Sequence, residues 1–257
     1  MSSLPYTGER IIPGAIPVPL FNEHEDRYRF AAAYVKNKSV VDVACGVGIG
    51  SQFLLDAGAT RVTGIDIDPV ALEYARAEYK DCNFVACDAQ RLLLADNSAD
   101  VIVSFETIEH IPDPLGFLRE CRRVLKPEGL FICSTPNHAV CRWWGLNPFH
   151  NREFFPQEFT DLVASLFGEL ETYSQRTVFY PKFVVKRVIS YVLEKISLKH
   201  SLDRFLGRTP PAISPQRRFS LNGRSITREI EPYAKGWLVK PTYLLVIGRK
   251  PNRHSES

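Results

Sequence analysis

Three absences narrow this 257-residue chain before any motif is read. No run of about 18 uncharged apolar residues occurs, the length a helix needs to cross a bilayer. The first 22 residues also lack a basic start followed by a long apolar stretch, so a secretory leader is not expected either. The six cysteines (Cys45, Cys82, Cys87, Cys121, Cys133 and Cys141) form no Cys-x-x-Cys pair and lie mostly within apolar runs. That pattern favours reduced, buried thiols over zinc or disulfides, and with the missing leader it predicts a cytoplasmic protein. The net charge of +3 is too small to point to nucleic acid, and no internal repeat or low-complexity tract is present. What is there is ordinary for a soluble domain: 45% apolar and 24% charged residues, enough to bury a full core.

The most informative stretch is Val40-Val-Asp-Val-Ala-Cys-Gly-Val-Gly-Ile-Gly-Ser51, an apolar run ending in closely spaced glycines. A helix is expected next, then a second apolar run, Arg61-Val-Thr-Gly-Ile-Asp66, which places an acid 20 residues after Gly46. This spacing suits a nucleoside cofactor whose ribose is gripped by the acid. Glycine at 46, 48 and 50 lets the backbone turn sharply and approach a ligand without Cβ interference. The dinucleotide fingerprint Gly-x-Gly-x-x-Gly is nevertheless broken, with Ser51 or Phe53 where the third glycine belongs, which argues against NAD and FAD.

The pattern Asp42-x-Ala44-Cys-Gly46-x-Gly48-x-Gly50 resembles the first motif of class I S-adenosylmethionine-dependent methyltransferases. In that family the glycine loop passes under the methionine end of the cofactor. The resemblance implies a cofactor site made of Asp42, Ala44, Gly46, Gly48 and Gly50, with Asp66 accepting from both ribose hydroxyls and Ile67 offering an apolar surface to adenine. It further implies that Asp88, beside Ala89, accepts from the adenine amino group, and that Phe105 ends the fourth strand against the cofactor. Asp68 is expected to cap a helix starting at Pro69. Leu115 to Gly129 reads as an amphipathic helix closed by Lys126-Pro-Glu-Gly129, followed by a strand Leu130 to Pro136. Strand and helix alternate as the family requires over residues 38–137. The implied fold is α/β, a Rossmann-like seven-stranded sheet with helices on both faces. Its expected parts are an N-terminal arm and helix (1–37), the cofactor-binding core (38–180), a basic helical insertion (181–240), and the last strand with its tail (241–257).

Tyr6-Thr-Gly-Glu-Arg10-Ile-Ile-Pro-Gly14 and the helix carrying Glu25-Asp-Arg-Tyr28, expected from Asn22 to Val35, resemble the N-terminal segment of bacterial methyltransferases of surface-polysaccharide and glycan-modification clusters. There such an arm is expected to fold over the cofactor and shape the acceptor pocket. Trp143 and Trp144 have two readings, anchors of their loop or a stacking platform for a sugar ring. The insertion holds thirteen Lys or Arg against four Asp or Glu, and its first helix places Phe183, Val184, Val188, Tyr191, Val192 and Ile196 at helical spacing beside Lys182, Lys186, Arg187 and Lys195. This basic amphipathic segment reads either as a lid packed on the sheet or as a surface for anionic lipid at the inner membrane face.

The candidate catalytic stretch is Phe105-Glu106-Thr-Ile-Glu109-His110-Ile-Pro112, where the family places residues facing the transferred methyl. His110 has the one nearby side chain whose ordinary pKa suits proton acceptance near neutrality, and a structural histidine at a turn is the competing reading. Glu106, Glu109 and His110 stand at i, i+3 and i+4. Glu-x-x-Glu-His resembles the metal-binding stretch of small-RNA 2′-O-methyltransferases and ubiquinone-pathway O-methyltransferases, with His138 or His150 within conceivable reach of an ion. No resident metal is expected, and the three-residue site stands as the alternative. The function expected is methyl transfer from S-adenosylmethionine to oxygen on a saccharide or glycan-type acceptor. Its rivals are a metal-assisted O-methyltransferase for a phenolic or quinone-precursor acceptor at a membrane, and a silent cofactor-binding subunit.

Overall fold

The structure is a computed structural model that describes residues 11–12, 16–144, 147–168, 170–195, 230–233 and 239–252. Helix α1 (Val18–Ala32) leads into β1 (Ser39–Val43), α2 (Ile49–Asp56), β2 (Arg61–Asp66), α3 (Pro69–Glu78), β3 (Asn83–Ala86) and β4 (Ala99–Phe105). A 3₁₀ turn (Ile108–His110), α4 (Pro114–Val124), β5 (Leu125–Pro136), the short α5 (His138–Cys141) and a second 3₁₀ turn (Arg142–Trp144) follow. The chain continues through α6 (Pro156–Phe167), β6 (Leu170–Phe179), α7 (Tyr180–Lys195), β7 (Glu231–Pro232) and β8 (Val239–Arg249).

The sheet order is β3-β2-β1-β4-β5-β8-β6-β7, parallel from β3 to β5, with β8 antiparallel to both β5 and β6. Strands buried on both faces need near-continuous apolar side chains, which Val40, Val41 and Val43 supply on β1 and Val101 to Val103 on β4. One face is covered by α1, α2 and α3 through Phe21, Phe53, Leu54 and Leu72. The other is covered by α4 and α6 through Phe117, Leu118, Phe159 and Phe167. The chain leaves β1 toward β2 and β3 on one side and β4 toward β5 on the other. The order therefore reverses between β1 and β4, the position where open α/β sheets form a crevice for ligands at their carboxyl ends.

Asp68 caps α3 as expected, its Oδ1 accepting from the Val70 amide at 2.8 Å with Pro69 in the first turn. The expected sheet is present, and among the described residues Glu231–Pro232 of the insertion adds a two-residue eighth strand at the edge of β6. Three expectations need correction. Helix α1 starts at Val18, earlier than expected, since Pro17 provides an extended entry and Phe21 packs into the core. Helix α4 ends at Val124, and Lys126-Pro-Glu-Gly129 is not a helix stop but an irregularity inside β5, whose register to β4 steps from Leu125↔Ala99 to Leu130↔Val101. On α7 the expected apolar set is split: Phe183 and Val184 are half-buried, whereas Val188 and Tyr191 are exposed. The arm segment Tyr6 to Arg10, most of the insertion after Lys195, and the tail beyond Asn252 lie outside the described residues.

Candidate functional site

A cavity of about 510 Å³ opens at the β1/β4 reversal. One end is walled by Asp66, Ile67, Asp88, Ala89 and Gln90, the floor by Ala44, Cys45, Gly46, Val47 and Gly50, and the other end by Phe105, Glu106, Thr107, His110 and, from α1, His24 and Tyr28. Ile11 of the N-terminal arm also lines it. Ten of the thirteen residues expected at the site thus meet in one wall; Asp42, Gly48 and Glu109 stand behind it.

The sharp turn after β1 is built from Ala44 and Gly46 at φ of +60° and +54° and Gly48 at +80°. Left-handed backbone is free to glycine but strained for alanine, a cost that concentrates where a loop must be held in one shape. Asp66 fixes the loop from below: its Oδ2 accepts from the Gly46 amide at 2.8 Å and its Oδ1 from the Asp68 amide at 2.9 Å. Each oxygen keeps a further lone pair, so the carboxylate can still accept two hydroxyls of a ribose. Ile67, 72% exposed, presents the flat apolar surface beside it. Asp88 is braced by the Gln90 amide.

Asp42 lies beneath the loop, fully buried, and accepts from Tyr28 Oη at 3.0 Å and Ser51 Oγ at 2.7 Å. Burial pushes its carboxyl up to about 7, against the opposing pull of those two hydrogen bonds. Burial and the adjacent Asp42 push the Tyr28 phenol well above its ordinary range, so Tyr28 remains the donor. The pair ties α1 to the glycine loop across the sheet face, and the Tyr28 ring packs edge-on against Phe105 at 5.0 Å.

At the far end Glu106 leaves β4 with φ of +53° and accepts from Ser134 Oγ at 2.7 Å. The 3₁₀ turn then sends Glu109 inward, 1% exposed, with Oε2 accepting from Thr135 and Oε1 left without a hydrogen-bond partner. Burial first, then the charge of Glu106, push its carboxyl well above the ordinary range. His110 points its Nδ1 at the Phe149 carbonyl oxygen, 3.0 Å away, and its Nε2 lies 4.0 Å from Glu109 Oε1. Since a carbonyl can only accept, the neutral ring carries its proton on Nδ1 and offers Nε2 as the accepting nitrogen. His150 packs edge-on against His110 at 4.8 Å and bonds Glu153. Ligand atoms of Glu109, His110 and His150 all fall within 4.8 Å of one another. The alternative three-residue ion site read from the sequence is not the cluster found: His150 stands where Glu106 was placed, and Glu106, with its positive φ, bonds Ser134 on β5 instead. His138 bonds Glu153 and stays out of the cluster.

Residues 41–133 match the Methyltransferase domain family. A chain of Mycolicibacterium smegmatis described as a probable S-adenosylmethionine-dependent methyltransferase is 39% identical over 174 residues, 66% of this chain and 67% of its own length. The chain belongs to the S-adenosylmethionine-dependent methyltransferases. A ubiquinone biosynthesis O-methyltransferase of Actinobacillus pleuropneumoniae is 38% identical over 113 residues, 40% of this chain and 47% of its own. The solved S-adenosylmethionine-dependent methyltransferase of Thermotoga maritima superposes with a TM-score of 0.59 over 90% of this chain and 92% of its own, at 16% identity, a likeness of fold.

The cofactor of this methyltransferase is S-adenosylmethionine, and the residues that could hold it are Asp66, Ile67 and Asp88 at one end of the cavity for the nucleoside and the glycine loop along the floor for the amino-acid part. Reading the sequence missed His24, which sits amid Glu23, Glu25 and Asp26 and looks like one residue of a solvated helix face. Packing of α1 reverses that: all three acids and Arg27 are buried, with Arg27 Nη1 on Gln175 at 2.6 Å and Arg176 on Glu23. Burial, then Arg27, hold the His24 imidazole well below its ordinary range, so a neutral ring faces the cavity opposite the cofactor loop. Trp143 resolves toward anchoring: its Nε1 donates to Tyr180 Oη at 3.0 Å, and it is absent from the cavity wall.

Asp42 gives a pH test. With its folded pKa raised to about 7 from 3.8, the native state holds a proton that the unfolded chain has already lost across that window. Its contribution to stability is therefore full at the acid end and falls as pH rises from about 4 to about 7, by as much as ~4 kcal/mol for a shift of this size. Asp42→Asn should remove the decline. Urea unfolding of the apo-protein at pH 5, 6 and 7.5 is expected to show the variant gaining on the parent at each step; a constant offset would mean that Asp42 titrates normally.

Proposed function

We propose that this methyltransferase transfers the methyl group of S-adenosylmethionine to a hydroxyl oxygen of a saccharide or glycan-type acceptor. The observation that carries the reading is one continuous cavity with the acids Asp66 and Asp88 at one end and a carboxylate, Glu106, with the imidazoles His110 and His24 at the other. A sulfonium methyl is already activated, so the protein needs to align the acceptor in line with the carbon–sulfur bond and take up the hydroxyl proton. The oxygen attacks the methyl carbon, the carbon–sulfur bond breaks with its electrons going to sulfur, and the proton passes to His110 Nε2. The products are the methyl ether and S-adenosylhomocysteine. The saccharide rests on the arm's likeness to glycan-modifying relatives and on the polar cavity end.

A second reading has its own support. Glu109 is a buried carboxyl with one unpartnered oxygen, next to two histidine rings, and such a group calls for a proton or a cation. Glu109, His110 and His150 would supply one oxygen and two nitrogen ligands to a divalent ion, which would polarise an acceptor hydroxyl. A phenolic or quinone-precursor acceptor at a membrane then becomes the better fit, in keeping with the name of the Actinobacillus relative. Transfer of labelled methyl to methyl glycosides and to catechols, with EDTA and with Mg²⁺ restored, separates the readings. Glycoside methylation indifferent to EDTA supports the first; catechol methylation lost to EDTA and regained with Mg²⁺ supports the second.

The cofactor assignment is tested at Asp66. Asp66→Ala removes two charge-assisted ribose bonds and should weaken S-adenosylmethionine binding by ~1.5–3 kcal/mol, about 10- to 150-fold in Kd, measured by calorimetric titration. Unchanged affinity in a folded variant would take the ribose away from Asp66.

A further inference from the structure

Helix α7 is bonded to the body through Tyr180 and Arg187. Tyr180, Phe183, Val184 and Arg187 are half-buried; Tyr180 Oη accepts from Trp143 and Arg142 at 3.0 Å each, and Arg187 Nε donates to the Trp143 carbonyl at 2.9 Å. At 3.6 residues per turn the opposite arc is Val185, Val188 and Ile189, exposed by 59%, 47% and 54%. Lys182 and Lys186, both exposed, run along one edge of that arc. The usual amphipathic order is thus inverted, with an apolar ridge turned outward and lysines beside it. The helix is tied to the 3₁₀ turn Arg142–Trp144 that follows β5 and α5.

We infer that the outward face of α7 is a docking surface for anionic lipid, with Val185, Val188 and Ile189 entering the interface and Lys182 and Lys186 meeting the headgroups. Apolar burial supplies adhesion and the lysines supply attraction, the combination that interfacial helices use. Charge decides the occupant. Residues 181–240 carry thirteen basic against four acidic residues, while the rest of the chain carries nineteen against twenty-five. A second copy would place these lysines against its own lysines across a two-fold axis, which like charges oppose. The inference goes beyond the acceptor readings and stands whichever of them holds, because docking requires no turnover.

Sedimentation of the full chain with vesicles of phosphatidylcholine alone, and with vesicles containing about a third phosphatidylglycerol, tests it without an acceptor. Pelleting is expected with the anionic vesicles only and should fall as salt rises. Lys182→Glu with Lys186→Glu should weaken binding roughly 600-fold, since each reversal changes the charge by two units and each unit near such a surface contributes about fivefold. The triple change Val185→Ser, Val188→Ser and Ile189→Ser should weaken it at least about tenfold by removing apolar burial. Both variants alter exposed side chains, and calorimetric S-adenosylmethionine binding equal to the parent's confirms that each is folded. Equal pelleting with both vesicle types, pelleting with neither, or binding unchanged in both variants overturns the inference. So does a parent that is dimeric by light scattering and becomes monomeric in the serine variant, which would give the ridge to a second copy.

Discussion

Replacing His110 with alanine is expected to lower methyl transfer about 10²- to 10⁴-fold while leaving S-adenosylmethionine affinity close to the parent's. The asymmetry follows from position. His110 stands at the end of the cavity away from Asp66 and Asp88, so the nucleoside end loses nothing, whereas the acceptor loses the nitrogen that takes its proton. The Phe149 carbonyl orients the ring and fixes which nitrogen that is. His110→Gln sharpens the test, because an amide can keep a bond to Phe149 but cannot take up a proton. Both variants should therefore be slow in kcat with cofactor binding intact. A glutamine variant near parental turnover would make His110 a loop anchor and shift proton transfer to His24, which faces the same cavity as a neutral imidazole. Loss of turnover in His150→Ala of the same size, restored by excess Mg²⁺, would instead make the pair ligands of an ion.

Much of the cofactor half was legible in the sequence because it is local. The glycines, Asp66 and the Asp68 cap each act through residues within about a turn or at the end of an adjacent parallel strand, and the β1–β2 register follows from that alternation. The acceptor half was harder to read because it is assembled over distance. Glu106 is turned away from Glu109 by Ser134 on β5, and His150 arrives from a loop forty residues downstream of His110. His24 is invisible among charged neighbours whose burial depends on β6. The end of α4 was misplaced for a related reason: Lys126-Pro-Glu-Gly129 carries every local sign of a helix stop, and only pairing to Ala99 and Val101 shows it to be a bulged step within a strand.

Gly50 shows how a correct residue can be chosen for an incomplete reason. Read from sequence, it spares a ligand the Cβ atom. In the structure a Cβ at position 50 would fall within the contact surface of the Tyr28 ring, which cannot easily retreat because its hydroxyl is bonded to Asp42 and its edge rests on Phe105. Gly50→Ala should therefore destabilise the protein by ~1–3 kcal/mol, the usual cost of overpacking, a fall of roughly 2–12 °C in Tm for a chain of this size. The double variant with Tyr28→Ala decides between the two reasons. If the glycine makes room for Tyr28, truncating that ring removes the clash, and the two single losses should exceed the double loss by more than about 0.5 kcal/mol, the limit for independent sites. Additive losses would refute the packing account. If Gly50→Ala still abolishes S-adenosylmethionine binding when Tyr28 is alanine, the ligand itself needs the space, and the glycine serves both the helix above the loop and the cofactor within it.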